Sequence, residues 1–183
     1  MKAHYTVVLG SLLLSSVAYA ADAPPPTVGK LFDGPVTAGE HEIIPLVEAM
    51  PADKFAFAPK NGEFKGVRTF AEQAKHLAAV VYLVSAASLG EKPPVDTGGE
   101  SGPASVATKE QIVQFMKGAF AYGHKAALAL TAQNQLQMVK SPFGSGQMAR
   151  AEAVNIIGWH SFDHYGQMVE YARMNGVIPP ASR

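Results

Sequence analysis

His160 and His164 stand four residues apart in the run Gly158-Trp159-His160-Ser161-Phe162-Asp163-His164-Tyr165-Gly166-Gln167. Residues i and i+4 share one face of an α-helix, about 6 Å apart along its axis. Two imidazoles placed in this way can hold one metal ion, as they do in the zinc-protease pattern His-Glu-x-x-His. Here Ser161 stands where that pattern carries its glutamate. The general base of proteolysis is missing, and that chemistry is set aside. The pair alone fits solvated or packed histidines equally well, so the surroundings must decide.

At about 100° per residue, His164 falls about 40° from His160, and Ile156, Ile157, Met168 and Tyr171 lie on the same arc. Both histidines thus sit in the apolar face of their helix, where an imidazole is costly unless it is bonded. A third, His76, shares the arc of Leu77 and Val80 on an earlier helical stretch. Inward side chains from facing helices are the way bundles build metal sites. Three neutral imidazoles suit a divalent ion such as Zn(II) or Ni(II) and leave a coordination position open. The candidate metal ligands are therefore His76, His160 and His164. Asp163 and Gln167 flank them as groups that could orient a ligand. Tyr82 and Tyr171 are candidate acids, though core tyrosines are commoner. His41 falls on a polar face, His124 reads as a core or rim residue, and Trp159 points away from the histidine face.

Four helical stretches must position these residues. The first spans Val28 to Met50, with Val36, Ile43, Val47 and Met50 on one side and Pro45 as a point of kinking or late start. The segment 53–68 carries Phe55, Phe57 and Phe64 and should pack over the bundle. The second helix runs from about Thr69 to Leu89, with a stripe of Phe70, Leu77, Val80, Val81 and Val84 and Gly90 as its cap. Residues 91–106 are rich in Pro, Gly and Ser, and long enough for a crossover, so helices two and three need not be antiparallel neighbours. Thr108 and Gln111 form a capping box that opens the third helix. Its buried side is Val113, Met116, Phe120, Ala127 and Leu128, and it fades near Asn134. A turn at 141–146 precedes the fourth helix, about Met148 to Asn175, which stops at Gly176. No alternation is long enough to build a sheet. The fold class expected is all-α, a four-helix bundle with a long connection between helices 2 and 3.

Met1-Lys2-Ala3-His4, an apolar run to Val17 and Ala18-Tyr19-Ala20 describe a secretory signal peptide over residues 1–20, cleaved after Ala20. Residues 21–27 are a Pro-rich leader, and residues 28–183 are the bundle domain. The expectation is an exported protein, periplasmic in a Gram-negative cell, that leaves the membrane once the signal is cut. The formal net charge is zero and no basic stripe forms, which argues against nucleic acid as a partner. There is no cysteine, so any metal must be held by His, Asp, Glu or backbone oxygen.

The chain resembles the DinB-like superfamily of four-helix bundles. His76, the run His160 to Gln167, and the ending Tyr171-Ala172-Arg173-Met174-Asn175-Gly176-Val177-Ile178-Pro179-Pro180 carry the resemblance, with Met50 to Pro59 as a lesser part. The resemblance implies one divalent metal on His76, His160 and His164. It also implies, for some members, a transferase or isomerase that uses a low-molecular-weight thiol. Such thiols are scarcer and more oxidised outside the cytoplasm, so export argues against thiol transfer here. Three readings stand: a metal-dependent transferase or hydrolase of a small-molecule substrate; a non-catalytic metal-binding protein; and a structural bundle whose histidines bond within the core, with a homodimer open to it. An apolar cavity beside the metal would separate the first from the second.

Overall fold

The computed structural model describes residues 25–183; the signal peptide expected at 1–20 lies outside them. Helix α1 spans Val28–Ala49 and continues through Pro35 and Pro45, so of the kink or late start expected at Pro45 the late start does not occur. Helix α2 spans Phe70–Leu89, α3 Lys109–Leu128 and α4 Arg150–Met174. Local chemistry fixes the ends. Thr69 and Glu72 form a capping box on α2, Thr108 and Gln111 form the one expected on α3, and Gly90 closes α2 in the left-handed region.

Side-chain contacts fix the topology. Lys109 donates to the Glu48 and Met50 carbonyls while His124 meets Asp33, so α1 and α3 are antiparallel. Tyr82 reaches Gly118, and Glu91 accepts from Tyr122 and Lys125, so α2 and α3 are parallel neighbours. Helices α1 and α4 are also parallel: Pro35 meets Gly158, and Gly39 meets Ser161. At Gly158 an added Cβ would come 3.0 Å from Pro35, so glycine sets how closely these two helices approach. Helix α4 is antiparallel to α2, with Gln73 beside Gln167 and Gly90 beside Arg150. The result is a four-helix bundle in an up-down-down-up arrangement. A parallel α2–α3 pair requires the long connection, which returns along the full length of α2 before α3 begins.

The stripes expected on α1 and α2 are buried, as are Val113, Met116, Phe120 and Ala127 on α3. Helix α3 ends at Leu128 rather than near Asn134, and Leu128 itself is exposed. Asn134 instead bonds the Thr131 N–H and the Ala129 carbonyl in the turn that follows. A small antiparallel hairpin of β1 (Met138–Lys140) and β2 (Gln147–Ala149), joined by the expected turn, corrects the reading of no strand. Strands of three residues leave no periodic signal. In the segment 53–68, Phe55 stacks edge-on to Phe70 and Phe57 to Tyr171, whereas Phe64 stays exposed. No helix among the described residues is long and apolar enough to cross a membrane.

Candidate metal centre

Helices α2 and α4 bring His76, His160 and His164 together. Ring centroids are 5.1 Å apart for His76 and His160, 4.8 Å for His76 and His164, and 4.4 Å for His160 and His164. One nitrogen from each lies within 4.8 Å of the others. His76 and His164 are buried and His160 is half-buried.

The hydrogen bonds set the tautomers. His76 Nδ1 lies 2.5 Å from the Glu100 carbonyl, and His164 Nδ1 lies 2.6 Å from Gln73 Oε1. Both partners only accept, so both Nδ1 atoms carry the proton and each Nε2 keeps its lone pair for the shared space. His160 Nε2 is buried with no hydrogen-bond partner. An orphaned buried nitrogen beside two free lone pairs is a donor set that fits one metal ion. Burial comes first among the causes that hold all three imidazoles neutral. It lowers His76. With the neighbouring His76 charge it brings His160 to about 4, and with His160 and His76 it brings His164 to about 3. Neutral imidazole is the form that ligates.

Polar and apolar layers bound the centre on opposite sides. One turn toward the α2 N-terminus, Gln73 Nε2 donates to Gln167 Oε1 at 2.8 Å, and Gln167 Nε2 donates to Asp163 Oδ2 at 3.4 Å. One turn the other way, a cavity of about 250 Å³ is lined by His76, Val80, Glu100, Phe143, Ile156, Trp159 and His160. A larger cavity of about 540 Å³, between the end of α2 and the hairpin, touches none of the three histidines.

The other candidates fall elsewhere. Tyr171 donates to the Arg68 carbonyl at 3.2 Å, and Tyr82 packs against Phe115 and Tyr122; both are packing residues. His124 is held by Asp33 and Glu40 between α1 and α3, and His41 is exposed. Trp159 is 56% exposed, yet it lines the cavity, its ring edge-on to His160 at 5.6 Å. Sequence reasoning missed Gln73 and Glu100. A polar Gln73 one turn before His76 on an apolar face was a signal; a backbone carbonyl such as that of Glu100 leaves none.

A family model described as the DinB superfamily matches residues 36–168 of the 183. That span contains all three histidines, Gln73 and Glu100. No curated protein matches the chain.

Proposed function

The chain belongs to the DinB superfamily, and we propose that it binds one divalent transition-metal ion through His76, His160 and His164 and presents that ion to a small molecule. The orphaned His160 Nε2 carries this reading. Histidines that merely bonded within a core would each have a partner, and this one has none. Glu100 and Gln73 would fix the ring orientations of His76 and His164, as carbonyl and amide acceptors do around bound metals. Three nitrogen donors suit Zn(II) or Ni(II). When bound, such an ion acts as a Lewis acid or lowers the pKa of a coordinated water.

The cavity against His76 and His160 favours a metal-dependent transferase or hydrolase over a metal store, since a store has no need of an apolar chamber beside the ion. The pattern of residues 1–20 supports export, and an exported protein would work where low-molecular-weight thiols are scarce.

Elemental analysis of protein purified without chelator or affinity tag tests the reading. About one equivalent of a divalent transition metal, lost in His160→Ala, is the expected result. No metal after reconstitution with Zn(II) and Ni(II) would sink it, and the histidines would then be core residues.

A further inference from the structure

The open-sided cavity beside the histidines is an apolar space against which a ligand of the ion would lie. Its volume is about 250 Å³, below the usual range of roughly 300–1,000 Å³ for ligand pockets. Val80 and Ile156 are buried floor residues one turn from the histidines on α2 and α4. Phe143, from the hairpin turn, and Trp159 form aromatic walls. Glu100 is the charged residue on the lining, brought there by the crossover whose carbonyl holds His76.

The geometry points to a ligand with one uncharged donor atom for the metal and a compact, uncharged apolar or aromatic body that fills the space between Phe143 and Trp159. The inference rests on the metal reading above. An apolar body removes the open surface of Trp159 and Phe143 from water and packs on the buried floor of Val80 and Ile156. A polar or anionic body would give up water for no donor on Val80, Phe143 or Ile156 and only the Trp159 indole N–H, and an anion would lie beside Glu100, whose charge repels it. The chamber thus selects by its body a ligand whose head the histidine-bound ion holds.

Monodentate azoles with a common head test this. The protein is loaded with Co(II), whose visible bands report ligation directly. Imidazole, 4-phenylimidazole and its 4-carboxyphenyl analogue are then titrated in. The phenyl compound should bind about tenfold or more tighter than imidazole, and the carboxylated one more weakly than the phenyl compound. Phe143→Ala and Trp159→Ala alter side chains outside the bundle core and should erase the phenyl preference while cobalt uptake persists. Glu100→Gln keeps its backbone carbonyl and should narrow the gap between the two aryl azoles. Cobalt uptake with equal affinity for all three azoles, or with no spectral response to any, overturns this proposal and leaves the metal reading standing. A phenyl preference that survives both aromatic substitutions overturns it too. Failure to take up cobalt, zinc or nickel overturns both.

Discussion

Gln73 Oε1 accepts the Nδ1–H of His164 at 2.6 Å, a bond that joins α2 to α4 across 91 positions of sequence. Gln73 is 2% exposed, and its own amide donates to Gln167. Its orientation is therefore set from behind: Gln167 takes the NH₂ group, so the oxygen must face the imidazole.

Removing that acceptor should loosen the metal without unfolding the bundle. Gln73→Leu frees His164 to rotate and to change tautomer. Metal affinity, read by competition with a chromophoric chelator, should fall by about 10- to 100-fold. Gln73→Glu restores an acceptor and should recover most of the loss. Equal affinity in wild type and Gln73→Leu would show that the amide has no part in holding the ion.

The histidine layer also makes the metal-free protein acid-sensitive. Burial, with the neighbouring imidazoles, holds His160 at about 4 and His164 at about 3, whereas an imidazole in an unfolded chain titrates near 6.5. Between about pH 6.5 and 4 the unfolded chain takes up protons that the folded chain refuses. Stability therefore falls as pH falls, by up to ~1.4 kcal/mol per pH unit for each such histidine. Above about pH 6.5 both states are neutral and this slope vanishes. The midpoint of urea unfolding should drop through that window, and His164→Leu should flatten the drop.

The histidine face was legible in the sequence because it obeys the helical period. His160 and His164 fall among Ile156, Ile157 and Met168, and His76 falls beside Leu77 and Val80, so inward placement followed from spacing alone. The parallel α2–α3 pair was foreshadowed by the length of the crossover. The partners of the histidines were less accessible. Glu100 contributes a main-chain oxygen that any residue could supply, and only the path of the crossover brings it to His76. Phe143 reaches the cavity from a hairpin whose strands are too short to leave an alternating pattern. Trp159 points off the histidine face in projection, but its ring is long enough to lean back over His160.

His124 should show the opposite pH response. Its Nδ1 meets Asp33 at 2.5 Å and its Nε2 meets Glu40 at 3.2 Å. Burial lowers its pKa, but the two carboxylates outweigh burial and raise it on balance. A raised folded value means stability that is fully present below about pH 6.5 and lost as pH rises through that folded value. The three side chains are 24%, 13% and 31% exposed, so solvent screens the pair in part. His124→Gln should cost about 1 kcal/mol at pH 6 and less at pH 9, with metal stoichiometry unchanged. A larger cost at pH 9 than at pH 6 would contradict the ion-pair account.

The crossover should act on the metal through Gly102. This residue has φ +79, and a Cβ there would stand 2.7 Å from the Lys75 Cβ, so only glycine lets the chain lie against α2 at this point. Glu100 is two residues upstream and Lys75 directly precedes His76, so lifting the crossover at Gly102 withdraws the carbonyl from His76 Nδ1. Gly102→Ala should therefore lower metal affinity while the four helices stay formed. Backbone strain alone does not account for that outcome, because Gly99 separates the two causes. Gly99 also has a left-handed φ, +64, but a Cβ there meets nothing within 4 Å. Gly99→Ala carries the strain, about 1 kcal/mol, without the collision. Metal affinity by chelator competition and helicity by circular dichroism, read on both variants, decide the matter. A loss of affinity confined to Gly102→Ala makes the crossover part of the metal centre. An equal loss in both would assign the effect to loop strain alone.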